Sequence, residues 1–265
     1  AYGNPNKTKY IFNKLIKWDG KKIISNLGYY RPFFTNLSLE LVKDLKKHSR
    51  EDIAAGVQRH CEKIIVQYVK FWIKQISKNK KVNICLAGGI FANVKINQKI
   101  SEHKKIDEIF IFPNMGDGGL SVGAAVLSLI KHSKLRSFKL KDMYLGPKYS
   151  SRQILKEIKK EKLKILKLRT PSKYLASKIH EGKVIGCFQG RMEFGPRALG
   201  NRSIFASTTD ESINKWLNNK LKRTEFMPFA PITIDKFAKK MYQNLDTKYF
   251  AAKFMTTTTK CSKKA

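Results

Sequence analysis

The chain has 265 residues, with 54 lysines and arginines against 20 aspartates and glutamates, and 42% of it is hydrophobic. That length holds one large domain or two smaller ones with a proper core. No apolar run reaches the roughly 18 residues of a membrane span, and no stretch reads as a signal peptide, so a soluble, cytoplasmic protein with no membrane partner is expected. The formal net charge of +34 invites a nucleic-acid reading, yet residues 1–150 and 151–265 carry +17 each and only ten of the basic residues are arginine. An even, lysine-dominated excess argues against a dedicated nucleic-acid face and would instead hasten the arrival of small anions. Cys61, Cys85, Cys187 and Cys261 lie far apart without a C-x-x-C pair; Cys85 and Cys187 are expected as buried, reduced thiols. The chain starts Ala-Tyr-Gly without Met and ends in a polar tail, and so reads as a fragment.

In chain order, residues 1–37 read as irregular, with a turn at Trp18-Asp19-Gly20 and a short strand at 22–25, followed by a short helix over 36–47. Ser49 and Asp52 have capping-box spacing, and Ile53, Val57, Cys61, Ile64, Tyr68, Trp72 and Ile76 recur at helical period, predicting one long amphipathic helix to about Ser77. A buried strand at 82–86, the turn Gly88-Gly89 and a helix to about Ile100 follow. A second strand at 106–112 leads into the loop Pro113-Asn114-Met115-Gly116-Asp117-Gly118-Gly119 and a helix over 120–132. Strand, glycine turn, helix, repeated, is an α/β layout with ligand loops at the strand ends. After Met143-Tyr144-Leu145-Gly146-Pro147 the pattern restarts: a charged helix near 151–161, a strand at 163–168, a helix opened by Pro171, a strand at 184–188, a strand at 204–206 and a helix at 211–221. Beyond Tyr249 the Thr- and Lys-rich end shows no periodicity and is expected to be poorly ordered. The five histidines are isolated and read as solvated surface groups.

The densest chemistry lies in Gly190-Arg191-Met192-Glu193-Phe194-Gly195-Pro196-Arg197-Ala198-Leu199-Gly200-Asn201-Arg202-Ser203. Glycine lets backbone amides approach an anion closely, and the arginine fork matches phosphate or carboxylate oxygens in pairs. Four of the ten arginines, Arg191, Arg197, Arg202 and Arg223, fall in this region. An anion site is one reading; a structural Arg–Glu network with Glu193 and Glu225 as partners is the other. The glycine loops with Asn93 and Asp117 suggest a nucleotide or phosphate cleft, although a turn or helix-cap role fits Asp117 as well.

This run, with Arg223-Thr224-Glu225-Phe226-Met227-Pro228-Phe229-Ala230-Pro231, resembles the C-terminal domain of the O-carbamoyltransferases, the family of nodulation-factor and antibiotic carbamoylating enzymes. Residues 87–93 and 113–125 resemble the second half of the family's actin-like/sugar-kinase (ASKHA) ATPase domain. The resemblance implies an α/β fold with that half-domain at 1–142, a connection at 143–150 and a YrdC-like α/β domain at 151–265 that is incomplete at its end. It implies ATP as cosubstrate, carbamoyl phosphate as donor, and a sugar or natural-product hydroxyl as acceptor, by way of carbamoyl adenylate. Arg191, Arg197, Arg202 and Arg223 would clamp the phosphates; Glu193, Gly195, Asn201, Ser203 and Glu225 would line the substrate, the two glutamates orienting arginines. Gly88, Gly89, Asn93, Gly116 and Gly118 would meet the nucleotide, and Asp117 would ligate a divalent metal ion, iron or magnesium. The family's histidine pair for that metal has no counterpart among His48, His60, His103, His132 and His180, so the isolated chain is expected to fall short of full turnover. A component of the tRNA threonylcarbamoyladenosine pathway and a non-catalytic remnant are the alternatives, and the sequence leaves room for a homodimer.

Overall fold

The computed structural model describes residues 2–26, 29, 37–78, 80–134, 136–223 and 227–263. It is a mixed α/β structure, and among the described residues every sheet has two strands. The chain divides into two compact units, Ala1–Ile111 with Lys239–Ala265, and Phe112–Ala238.

The first unit is organised by the long helix. The N-terminal stretch expected to be irregular forms α1 (Lys9–Leu15) and a hairpin of β1 (Ile16–Trp18) and β2 (Ile23–Ser25). The hairpin turn is made by Asp19, whose Oδ1 accepts from the amides of Lys21 and Lys22, both at 2.8 Å. After α2 (Leu39–Leu45), α3 runs from Arg50 to Ile76, 27 residues. Ser49 caps it by accepting from the Asp52 amide at 3.2 Å. The expected reciprocal half of the box is absent: the Asp52 carboxylate turns to the Asn4 amide (2.6 Å) and to Lys7 (2.8 Å), tying the N-terminus to the helix instead. Gly56 is where α1 reaches α3, since a Cβ there would lie 1.9 Å from Thr8 Oγ1 and 2.8 Å from a Phe12 ring carbon. His60 departs from the solvated expectation: it is half-buried on this face, its Nε2 lies 2.7 Å from the Ile16 carbonyl, and burial lowers its pKa.

Then comes a βαβ unit: β3 (Val82–Leu86), a 3-10 turn (Gly89–Ala92), α4 (Val94–Ser101) and β4 (Ile106–Ile111), with β3 and β4 parallel. Its buried face is aliphatic, with Ile96, Ile100, Ile106, Ile109 and Ile111 nearly inaccessible. β3 alternates, so Cys85 is exposed with Asn83 while Leu86 is buried, and Cys187 is half-buried; neither thiol is the enclosed one expected.

The C-terminal segment also departs from expectation. Residues 239–263 return to the first unit as an ordered strap. The 3-10 turn Asp246–Lys248 and α10 (Tyr249–Lys253) pack on β4, the Phe110 and Phe250 rings meeting at 5.2 Å. Phe254 and Thr256 are buried. Asn97, fully buried on α4, donates to the carbonyls of Phe91 and Thr256, each at 2.7 Å, and Thr258 Oγ1 donates to Gln98 at 2.8 Å. Threonine hydroxyls do here what periodicity does elsewhere.

The second unit holds α5 (Leu120–His132), α6 (Ser151–Lys160), α7 (Pro171–His180), the antiparallel pair β5 (Ile185–Phe188) and β6 (Arg202–Phe205), and α8 (Ser212–Lys220). The strand expected at 163–168 does not form; its Lys/Leu alternation satisfies the pattern, but the segment finds no partner. α9 (Asp235–Met241) carries the chain back towards the first unit.

Candidate functional site

β5 and β6 pair with Phe188 opposite Arg202, so residues 189–201 form one long connection between adjacent strands. A loop of that length needs internal support, and it has three forms of it. Residues 143–148, read from the sequence as a connector, run alongside: Gly146 N donates to Met192 O (2.9 Å), Met192 N to Pro147 O (3.0 Å) and Phe194 N to Met143 O (2.7 Å). Met143 is fully buried beneath them. Tyr144 adds its hydroxyl to the Leu199 carbonyl at 2.9 Å. Sequence reasoning missed this second strand of support; the one signal for it was the apolar alternation of Met143 and Leu145.

The second support is Glu193, 7% exposed. Its Oε1 accepts from the amides of Leu199 (2.8 Å), Asn201 (2.7 Å) and Arg202 (3.2 Å). Burial pushes the carboxyl up, but the backbone amides around it win, and the pKa is lowered. Glu193 therefore does not orient arginines as expected. The chain turns through positive φ at Gly195 (118°) and Gly200 (106°), and the carboxylate is spent gathering the amides that follow.

The arginines are the third. Arg191 donates from Nε to Gly146 O (3.0 Å) and from Nη2 to Leu145 O (2.7 Å). Arg202 donates from Nη1 to Gln189 O (2.6 Å) and Asn201 O (3.0 Å), and its guanidinium lies 3.6 Å from the centroid of the Phe188 ring. Among the described residues no carboxylate pairs with Arg191 or Arg202. Carbonyls orient a guanidinium without neutralising it, so this loop holds fixed, uncompensated positive charge with N–H groups left over, since each guanidinium has five. Arg197 is half-buried in the same loop. Asn201 Nδ2 donates to Arg191 O (2.7 Å), and Ser203 Oγ accepts from Gly200 N (2.9 Å); both side chains stiffen the loop.

Arg191, Glu193, Asn201, Arg202 and Ser203 are thus brought together. Among the described residues Arg223 shares no hydrogen bond with that network; its guanidinium lies 4.9 Å from the Phe229 ring, in a segment anchored by Asn218 through Met227 N and O. Glu225 lies outside the described residues. Gly195 meets the Asp117-bearing loop: a Cβ on it would sit 3.5 Å from Asn114 Cβ and from Pro113 O.

The nucleotide residues fall in two groups. Gly88, Gly89 and Gly116 have open space where a side chain would go, whereas at Gly118 a Cβ would lie 2.5 Å from Asn114 Nδ2. Gly118 thus packs against the Asn114 side chain. Gly88, Gly89 and Asn93 belong to the first unit, Gly116, Asp117 and Gly118 to the second. Asn93 is fully engaged: its Oδ1 caps α4 through Lys95 N and Ile96 N, and its amide pairs reciprocally with Gln58 (2.7 and 3.2 Å). Asp117 is exposed on the turn before α5. Among the described residues no three His, Cys, Asp or Glu stand together to hold a metal, and one exposed carboxylate does not hold a divalent ion. The described residues do not by themselves fit the implied metal centre.

The family model for the carbamoyltransferase N-terminus matches residues 2–126, and that for the carbamoyltransferase C-terminus matches 176–265. The chain is similar to an uncharacterized protein of Methanocaldococcus jannaschii, 34% identical over 92% of this chain and 41% of that protein. It is 28% identical to nodulation protein NolO of Bradyrhizobium diazoefficiens, over 91% of this chain and 45% of that one. With nodulation protein NolNO of Sinorhizobium fredii it shares 28% identity over 93% and 37%. It spans about two-fifths of the length of these curated relatives.

Proposed function

The chain belongs to the carbamoyltransferase family, and from that premise we propose that it is the part of a longer carbamoyltransferase that binds and activates the carbamoyl donor. The reading goes further than the family name. Carbamoyl phosphate would bind at the 189–203 loop and be split by water into carbamate and phosphate, and a carbamate oxygen would then attack the α-phosphorus of ATP to form carbamoyl adenylate, with pyrophosphate leaving. The carbamoyl group would then pass to a hydroxyl of a sugar or natural product, on surfaces that this chain supplies only in part.

The supporting observation is the set of carbonyl-held arginines. Reacting phosphates are crowded anions, and leaving phosphate and pyrophosphate gain charge as their bonds break. Arg191 and Arg202 face that charge already oriented and not cancelled by a carboxylate, so their stabilisation costs little reorganisation in the transition state. Arg197, between them in sequence, is the residue assigned to the donor phosphate. Glu193 keeps the loop closed and takes no proton, since its carboxylate is committed to three amides.

The test is a calorimetric titration of carbamoyl phosphate, with and without ATP, at two salt concentrations, against Arg197→Ala. Saturable binding that survives moderate salt and is lost in the variant is the expected result. Binding that falls with salt and is indifferent to the substitution would be nonspecific attraction to the +34 chain and would overturn the assignment.

A further inference from the structure

The donor site leaves another charged feature unused, in residues 151–169 of the second unit. α6 is capped reciprocally: Ser150 Oγ accepts from Gln153 N (3.3 Å), and Gln153 Oε1 accepts from Ser150 N (2.9 Å). It is therefore a firmly started helix, strongly amphipathic, yet none of its side chains is buried. Past its end, residues 161–170 are exposed throughout and pair with no described strand. Within that run Leu163 is 61% and Leu166 67% exposed, with Ile165 and Leu168 also open to solvent. Between 151 and 169 eight lysines and arginines face two glutamates, a positive density more than twice the chain's average.

Apolar side chains left in water beside concentrated positive charge constrain what could cover them. A nucleic acid would satisfy the lysines and leave the leucines wet. A folded acidic partner would need a groove matched to an irregular segment. An anionic bilayer surface offers negative headgroups and, a few ångströms below, an apolar layer that needs no matched shape; the hydrated headgroup zone also tolerates a backbone without ladder partners.

We propose that residues 151–169 form a peripheral contact with anionic membrane surface. The lysines pair with lipid phosphates, and Leu163, Ile165, Leu166 and Leu168 enter the boundary of the acyl layer. This is a surface contact and not a span, as no helix here is long and apolar enough to cross a bilayer.

The experiment is co-sedimentation of the whole chain with two kinds of vesicle, phosphatidylcholine alone and phosphatidylcholine with about a third phosphatidylglycerol. The variant Leu163→Ser/Leu166→Ser is run beside the parent, and both are also run on heparin resin and on single-stranded RNA. The two leucines are exposed, so the exchange leaves the fold in place. The proposal requires binding about tenfold tighter to the anionic vesicles, weakened by salt. It also requires a similar loss in the variant without change on heparin. Equal vesicle binding by variant and parent would reduce the effect to bulk charge and overturn the proposal. So would equal affinity for both vesicles, or a loss in the variant that appears on RNA and not on lipid. None of these outcomes depends on carbamoyl-phosphate binding, so the proposal stands or falls apart from the donor site.

Discussion

Glu193 is the residue on which the arginine loop closes, and its ionisation gives the site a pH limit. Its pKa is lowered in the folded state, so the stabilisation is complete above the ordinary glutamate value of 4.5 and is lost as the pH falls through the lower, folded value. Glu193→Ala strands three amides; the expected cost is about 1–3 kcal/mol in unfolding free energy. Glu193→Gln keeps an acceptor but no charge, and its unfolding profile should lose the acid-side dependence of the parent. An unchanged acid limb in the Gln variant would move that limb to another carboxylate. The charge of this loop is legible from residue types alone, and its partners are not. Opposite charges two to nine positions apart pair readily on paper. Which carboxylate meets a guanidinium and which meets an amide is decided by the positive-φ turns at Gly195 and Gly200, and composition does not encode the direction in which those turns aim the amides.

At the scale of elements, glycine separates two situations on helices. Gly56 on α3 faces Thr8 and Phe12 at distances a methyl group cannot share, and Gly123 on α5 faces open space. Alanine gains about 1 kcal/mol of helix propensity at either position. At Gly56 that gain is outweighed by overpacking of about 1–3 kcal/mol, so Gly56→Ala should melt lower than the parent and Gly123→Ala higher. Thermal unfolding of the pair checks the helix contact, and a Gly56→Ala protein that melts higher would refute it. The long helix, the βαβ unit and the helices at 120–132, 151–160 and 171–180 were legible because their period is long enough to outvote accident. α1 is only seven residues, and the false strand at 163–168 shows the reverse error. Alternation predicts that a segment is able to pair, while pairing itself needs a neighbour that the local sequence does not contain.

Taken whole, the chain is a first unit completed by its own last residues, with a second unit between. The strap predicts a large effect from a small deletion. Removing residues 254–263 takes away the buried Phe254 ring, worth about 3–5 kcal/mol, together with the Thr256 carbonyl that Asn97 holds. The first unit should then unfold roughly 10 °C lower, and α4 amides should exchange faster. A truncated chain with parental protection in α4 would show that the strap is ornamental. Nothing in the Thr-rich composition announces this segment, since its bonds reach back as far as 164 positions and no local pattern records a contact at that range. The even spread of positive charge over the two halves of the chain, by contrast, is legible in composition alone.

The strap also sets a timetable. During synthesis residues 1–111 emerge before the second unit, but α4 and β4 keep part of their surface uncovered until residues 246–258 follow, after all of 112–238 has been made. Closing contacts at that separation is slow, and an unfinished chain holds aliphatic surface open meanwhile. Residues 1–111 are therefore made before the second unit yet completed only after it has been made, and a ribosome stalled anywhere in the second unit would hold the first one open.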